Sequence, residues 1–197
     1  MKKGMRLVCL TVLMACTSAA WGQELILQCD AGQTKANWNL SDPLHTVKGD
    51  FQLKQCGLQY EPSSGKIGGE VVFDATSAQS GNGMRDKKMH KDVLESAKYP
   101  EIRFRPDRVE GKVELQGTSN LQVHGIFSIH GGEHEITLPV VLKMEATQWS
   151  ATASFAVPYV KWGMKNPSVL FLRVGDEVAL DVQAAGKLTS TGGSSNP

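Results

Sequence analysis

Alternation of apolar and polar residues with a period of two is the feature that most constrains how this chain can fold. In residues 121–130 apolar side chains occupy the odd positions, while most even positions are polar. Residues 136–142, 149–155 and 178–182 repeat this pattern. Successive side chains of a β-strand point to opposite faces, so these segments are typical of strands with one apolar face. A helical period is nearly absent, and the chain is therefore predicted to be all-β.

Further strands are predicted at residues 34–40, 47–54, 66–75, 102–105 and 112–115. Turn-forming pairs such as Gly131-Gly132 and Gly175-Asp176 separate the segments. Short strands joined by tight turns indicate an antiparallel meander, and about eight strands can close into a barrel without exposed edges. We therefore expect an eight-stranded antiparallel barrel. Residues 84–99, rich in Lys, Asp and Glu, are expected to form a short helical segment over a face or mouth of it.

The ends of the chain are predicted to lie outside the barrel domain. Lys2, Lys3 and Arg6 precede an apolar run at residues 7–15, which is shorter than the roughly 20 residues that span a bilayer. Ala20-Trp21-Gly22 provides small residues for cleavage, so residues 1–22 are predicted to be a signal peptide. The barrel domain is placed at residues 23–188. Residues 189–197 carry no apolar side chain and are predicted to be a disordered tail.

Two destinations are compatible with this leader. Cleavage before Gln23 predicts a periplasmic or secreted protein. Alternatively, Leu13-Met14-Ala15-Cys16 is similar to a bacterial lipobox and would leave Cys16 as a lipidated anchor of an outer-membrane lipoprotein, which keeps membrane association open.

The charge of the chain argues against nucleic acid as a partner. Without the three leader cations the formal net charge of +1 becomes −2, and no basic cluster is evident. Nucleic-acid binding requires many Lys and Arg side chains on one surface. The oligomeric state is not determined by the sequence, and a homodimer remains open.

Two cysteines, Cys29 and Cys56, remain in the predicted mature chain. An even count in an oxidising compartment favours one disulfide, which would close a loop of roughly 27 residues and contribute about 3 kcal/mol. The alternative is two separate small buried side chains.

No catalytic signature accompanies the predicted strands, and we expect a protein that is not an enzyme. The sequence has no Gly-x-Ser-x-Gly turn. His130 and His134 flank the Gly131-Gly132 turn beside acidic residues, where zinc would accept them. No His-Glu-x-x-His helix or Cys-x-x-Cys pair supports that site, so a metal-dependent hydrolase is the third alternative and no metal is expected.

The leading hypothesis is a ligand carrier, and it rests on the apolar face of the strands. An eight-stranded barrel has an interior just wide enough for packed side chains or for one small ligand. Small residues at presumed inward positions favour space inside; these are Gly69, Ala75, Gly125, Ala151 and Ala153. A filled barrel acting as an extracytoplasmic interaction or stress-response protein is the second alternative. A cavity of several hundred Å³ would distinguish a carrier from it.

Several motifs in order along the chain resemble the YceI-like family of bacterial exported lipid-binding proteins over residues 35–185. They are Leu44-His-Thr-Val-Lys-Gly-Asp-Phe51, Ser80-Gly-Asn-Gly-Met-Arg-Asp86, Tyr99-Pro-Glu-Ile-Arg-Phe104, Val123-His-Gly-Ile-Phe-Ser-Ile-His-Gly131 and Gly175-Asp-Glu-Val-Ala-Leu-Asp-Val182. The resemblance implies a lipocalin-like barrel that holds a long-chain isoprenoid lipid, such as a quinone or a prenyl phosphate. It implies no cofactor and no turnover.

Two positions depart from the family pattern. Tyr159 stands where the family often places an Arg before its Phe-Gly element, and the basic residue usual before Pro139 is absent. These differences weigh against a pyrophosphate head-group in particular.

The predicted ligand site combines an apolar lumen with a polar end. The residues predicted to line the lumen are Phe73, Phe104, Phe127, Ile129, Leu138, Val140, Phe155, Trp162, Leu180 and Val182. Arg85, His90 and His130 are predicted at the polar end, with Arg85 donating a hydrogen bond to a carbonyl or phosphate. A structural alternative for Arg85-Asp86 is that Asp86 caps the short helix while Arg85 bridges to a strand.

Overall fold

Nine β-strands and one short helical segment make up the fold, seen in a computed structural model that describes residues 24–41, 46–168 and 173–191. The helical segment is the α-helix α1 (Gly83–Lys88) continued by a π-helical turn (Met89–Val93). The strands are β1 (Glu24–Cys29), β2 (Lys35–Ser41), β3 (Thr46–Glu61), β4 (Lys66–Gln79), β5 (Glu101–Glu110), β6 (Gly117–Ile129), β7 (Gly132–Glu145), β8 (Gln148–Val157) and β9 (Val178–Thr191). The predicted signal peptide and residues 192–197 lie outside the described ranges.

The nine strands close into an eight-stranded antiparallel barrel, as predicted, because β1 and β2 share one position in the sheet. Both strands pair with β3 on one side and with β9 on the other. On β9, Cys29 lies opposite Gly186 and Lys35 opposite Gln183, so the chain between β1 and β2 leaves the sheet only briefly. From β3 to β9 each strand pairs with the next along the chain.

The alternating pattern determines which side chains form the core. In β6 and β7 the apolar residues at alternate positions are turned into the barrel, and their polar neighbours face outward. In β3 a bulge between Leu53 and Gln55 shifts the register, so the inward positions change from odd, as at Phe51, to even, as at Leu58 and Tyr60. A bulge places one extra residue on one strand and therefore inverts the faces beyond it.

Two sequence-based boundaries are wrong. Residues 112–115 are a loop, because Gly111 adopts a φ of 110° and turns the chain out of the sheet directly after β5. The predicted tail begins too early, because Thr189 and Ser190 pair with Ile26 and Leu25 of β1. β1 itself was not predicted, and its backbone supplies the hydrogen-bonding partners that keep residues 189–191 in the sheet.

Asn82 is the N-cap residue of the helical segment, and its side-chain oxygen accepts hydrogen bonds from the amides of Met84 and Arg85 at 3.2 and 3.1 Å. Asp86 therefore does not cap this helix, contrary to the structural alternative above; it accepts a hydrogen bond from the Ser80 amide at 2.9 Å. We refer to residues 83–93 as the cap, since Met89, Val93 and the following Leu94 pack onto the core at one end of the barrel. Within the described residues, no helix has the length and hydropathy to cross a bilayer.

Candidate functional site

The barrel contains an upper cavity of about 950 Å³ beneath the cap. Its walls come from the strand ends on that side, from the cap and from the segment between β8 and β9. The apolar lining residues are Trp38, Leu40, Val47, Phe51, Met84, Met89, Val93, Leu94, Ile102, Ile129, Val157, Met164, Pro167, Val174, Val178 and Leu180. A hydrocarbon lining of this size, within the usual 300–1,000 Å³ range of ligand sites, favours an apolar ligand.

The charged side chains that line the upper cavity all carry the same sign. They are Lys48, Arg85 and Lys88, and no Asp or Glu is among the described lining residues. Arg85 donates from Nε to the Ser80 hydroxyl at 2.7 Å and from Nη2 to the Ser80 carbonyl at 2.9 Å, and its Nη1 has no hydrogen-bond partner in the described part of the chain. Lys88 donates to the Pro167 carbonyl at 3.1 Å. This end of the cavity is therefore electropositive and rich in hydrogen-bond donors.

A lower cavity of about 170 Å³ continues the lumen toward the other end of the barrel. Phe51, Ile102 and Leu180 line both cavities, so these three side chains form a waist between them. The lower cavity is lined by strand residues almost throughout, among them Leu58, Leu142 and Ala151.

Most of the sequence-predicted residues line one of the two cavities. Arg85 and Ile129 line the upper cavity, and Leu180 lies at the waist. The lower cavity is lined by Phe73, Phe104, Phe127, Leu138, Val140, Phe155 and Val182. Alternation along the strands was sufficient to identify these walls, because each inward position of a closed barrel faces the lumen.

Three predicted residues line neither cavity. The His90 ring lies 2.9 Å from both the Ser96 hydroxyl and the Ala78 carbonyl, and so ties the cap to the end of β4. His130 lies in the β6–β7 turn, with its ring 4.7 Å from that of Tyr99 and its Nε2 3.1 Å from the Glu95 carboxylate. Trp162 stacks on His134, with ring centroids 3.9 Å apart. These side chains hold the structure around the cavities together.

The stack of His134 on Trp162 is nearly parallel, with 5° between the rings. The Nε2 atom of His134 is buried and has no hydrogen-bond partner among the residues that the structure describes. Burial disfavours the charged imidazolium and lowers the pKa of His134 below its ordinary value of 6.5. His134 is therefore held neutral as a flat packing surface.

Tyr159 occupies the upper cavity wall at the position where the family often has an Arg. Its hydroxyl donates to the Gly175 carbonyl at 2.7 Å. Burial, with a smaller contribution from Asp176, raises the pKa of Tyr159 to about 12. The side chain is therefore a neutral phenol that contributes no charge to the cavity.

Sequence reasoning missed much of the upper cavity. The walls supplied by Trp38, Val47 and the cap residues Met89 and Val93 were not among the predicted site residues. Trp38 and Leu40 do alternate within the predicted strand at residues 34–40, so a signal for part of this wall was present. The rest depends on where the cap lies over the barrel, which the period of the strands does not specify.

Small inward residues turn out to have two different roles. A side chain at Gly125 would place its Cβ 2.4 Å from the Arg105 carbonyl oxygen, and one at Gly69 would lie 2.1 Å from that of Gly57. These two glycines permit close approach of neighbouring strands and do not create lumen space, contrary to our expectation. Ala75 is buried in the core and lines neither cavity. Ala151 and Ala153 do line the lower cavity.

Cys29 and Cys56 form a disulfide between β1 and β3, with their Cα atoms 5.5 Å apart. Both residues line the lower cavity. In the part of the chain that the structure describes, which excludes His45, no three His, Cys, Asp or Glu side chains are grouped closely enough to hold a metal ion. The rings of His130 and His134 instead contact Tyr99 and Trp162.

A closed antiparallel barrel with an apolar lumen and a helical cap defines a lipocalin-like barrel protein. The YceI-like domain model matches residues 27–185, and the chain therefore belongs to the YceI-like family. Comparison with curated proteins gives no match.

Solved structures share the fold at low sequence identity. Burkholderia cenocepacia BcnA superposes with a TM-score of 0.68 at 15% identity, covering 81% of this chain and 99% of that one. A polyisoprenoid binding domain from Saccharophagus degradans, implicated in plant cell wall breakdown, gives a TM-score of 0.64 at 14% identity, with coverage of 84% and 98%. The Campylobacter jejuni YceI protein gives 0.55 at 18% identity, with coverage of 73% and 86%.

Proposed function

We propose that this protein binds and carries a lipid with one long apolar chain, of the polyisoprenoid class, in the barrel lumen. The observation that carries the proposal is the upper cavity of about 950 Å³ with its hydrocarbon lining. A barrel with a filled core would lack such a space, so the cavity supports a carrier over an interaction protein. The similarity in fold to the polyisoprenoid binding domain of Saccharophagus degradans is in keeping with this ligand class.

The two ends of the cavity give the ligand an orientation. The hydrocarbon chain extends from the upper cavity toward the waist, beyond which the lining is almost wholly strand-borne and predominantly apolar. Its polar group stays beside Arg85 and Lys88, whose N–H groups donate to carbonyl or phosphate oxygens. A quinone or a prenyl monophosphate meets both requirements.

Hydrophobic burial provides the affinity. Each Å² of apolar surface removed from water contributes about 25 cal/mol, so even part of a long chain offsets the cost of ordering it. This form of recognition needs no covalent step, and we propose binding and release without turnover.

We also propose that the protein works outside the cytoplasm, as the leader sequence predicts. The Cys29–Cys56 disulfide supports this location, because disulfides persist in oxidising compartments and are rare in the cytosol. Recovery of the mature chain from periplasm or medium, with an N-terminus at Gln23 or a lipidated Cys16, would test it and would identify the processing route.

Native mass spectrometry of protein purified from its own host tests the lipid-carrier proposal. We expect a copurifying lipid with a long apolar chain, and saturable uptake of quinone or prenyl analogues after delipidation. An absence of any bound lipid together with no saturable uptake would contradict the proposal.

A pair of neighbouring substitutions makes the test specific for the lumen. Val178 lines the upper cavity, while the adjacent Ala179 is exposed on the outside of the same strand. Val178→Trp is expected to reduce the bound lipid strongly, whereas Ala179→Trp leaves it unchanged. Equal lipid content in two folded variants would show that the ligand binds elsewhere.

A further inference from the structure

The outer face of the cap differs from the rest of the protein surface. Its helical spacing places exposed side chains at Met84, Lys87, Lys88 and Lys91, which are separated by three or four residues and so share one face. The Met84 side chain is 85% exposed, the most of any large apolar side chain among the described residues. Met84 also lines the upper cavity, so this exposed apolar group lies at the cavity mouth.

A second feature of the cap is a group of cations that form no ion pair with a described residue. Among residues 24–41, 46–168 and 173–191, no carboxylate lies within 4.0 Å of the charged groups of Arg85, Lys87, Lys88 or Lys91. Several cations on the barrel wall are paired with a carboxylate, as in Lys54–Glu101, Arg105–Glu133 and Lys143–Glu145. The cap carries two carboxylates: Asp86, which accepts a hydrogen bond from the Ser80 amide, and Asp92. Four cations against two carboxylates leave the cap with a formal charge of +2, so the mouth carries net positive charge.

An exposed apolar side chain surrounded by cations fits a surface that is negatively charged and apolar beneath. A bilayer containing anionic lipid has this chemistry, since its headgroups attract Lys and Arg while its acyl region accepts Met. The lumen also opens at the same face, so a docked barrel would receive an apolar chain without exposing it to water. This step rests on the proposed function.

We propose that the cap face, formed by Met84, Arg85, Lys87, Lys88 and Lys91, docks the barrel on anionic membranes with the cavity mouth toward the lipid. Docking is electrostatic at first, and it weakens as ionic strength rises. The bilayer is then the site at which lipid enters and leaves the cavity.

Vesicle co-sedimentation of the full mature protein tests the docking. We expect binding to vesicles of phosphatidylglycerol with phosphatidylethanolamine, and much weaker binding to phosphatidylcholine alone. The variant Lys87→Glu/Lys91→Glu alters exposed residues outside the cavity lining and is expected to weaken binding at least about tenfold. The matched control Lys66→Glu/Lys187→Glu makes the same charge change at the opposite end of the barrel and is expected to bind nearly as the unaltered protein does.

Uptake of a quinone analogue from detergent solution separates the two proposals. If the cap variant loads lipid normally from solution but loses vesicle binding, both proposals are supported. Equal vesicle binding by the cap and control variants, or no binding to anionic vesicles by any of them, overturns the docking surface and leaves the carrier function standing. Failure of every variant to load lipid from solution overturns the carrier function, and vesicle binding then still decides the docking.

Discussion

Tyr159 shows how a single residue sets the chemistry of the cavity wall. Its phenol is neutral at every physiological pH, because burial raises its pKa to about 12. The hydroxyl is committed to the Gly175 carbonyl and so ties together the beginning and the end of the segment between β8 and β9. Positive charge at the mouth therefore comes from the cap and from Lys48, and not from the position of the family's Arg.

Tyr159→Phe is expected to lower the free energy of unfolding by about 1–2 kcal/mol, because it leaves the Gly175 carbonyl without its donor. Urea denaturation measures this loss. Tyr60→Phe is the matched control, since the Tyr60 hydroxyl has no hydrogen bond to any residue that the structure describes. Equal effects of the two substitutions would mean that the hydrogen bond of Tyr159 contributes nothing.

His134 predicts a pH dependence with a definite sign. Its pKa is below 6.5 in the folded protein, so the unfolded chain binds more protons as the pH falls from about 7 to 5, and stability decreases. His134→Phe keeps a flat ring against Trp162 and removes the titrating group. Thermal melts across this range should show a smaller loss of stability for the variant, and parallel curves for the two proteins would contradict this explanation.

At the scale of elements, the cap depends on a residue whose role the sequence did not reveal. We predicted His90 at the ligand, yet its ring bridges Ser96 and Ala78 and ties the cap to β4. Nothing in the sequence distinguishes a histidine that contacts a ligand from one that fastens a helix. The difference is tertiary, since it depends on which backbone carbonyl lies opposite the ring.

His90→Leu is expected to loosen the cap while leaving the barrel closed, because both of its hydrogen bonds would be lost. Hydrogen–deuterium exchange should quicken at residues 83–96 relative to β6 and β7. Lys91→Ala, an exposed substitution in the same turn, is the control and should leave exchange unchanged. Protection of the cap that is identical in both variants would show that apolar packing alone holds it.

The strands differ in how well the sequence predicts them. β6 and β7 follow their period without interruption, so their inward faces were assigned correctly. The β3 bulge was not foreseen, because a change from odd to even apolar positions can equally mark the end of a strand. β1 was missed because Leu25, Ile26 and Leu27 form a continuous apolar run with no alternation. The sequence suggests that Gly125 leaves space in the lumen. In the structure, a glycine is needed there because the Arg105 backbone approaches too closely for a side chain.

At the scale of the whole molecule, the volumes of the two cavities set a limit on the length of the lipid chain that we propose as the ligand. The upper cavity holds most of the free volume, and only about 170 Å³ remains beyond the waist. We expect short chains to fit above Phe51, Ile102 and Leu180, and longer ones to extend into the lower cavity. The lower cavity therefore determines how much additional chain length increases affinity.

Filling the lower cavity should selectively weaken the binding of long chains. Ala151→Phe introduces a ring among the residues that line it, with a packing cost of about 1–3 kcal/mol. Competition between prenyl analogues of different lengths is expected to shift toward the shorter ones. Ser150→Phe, on the exposed face of the same strand, is the control. An unchanged preference in a folded Ala151→Phe variant would show that the bound chain stops at the waist.

The central claim is that the lumen encloses an apolar chain, and a crystal structure of the protein purified with its native lipid tests it most directly. The account predicts elongated electron density running from the mouth beside Arg85, past Trp38 and Ile129, to the waist at Leu180. Side chains that meet across the upper cavity with no density between them, or lipid density found only on the outside of the barrel, would contradict it.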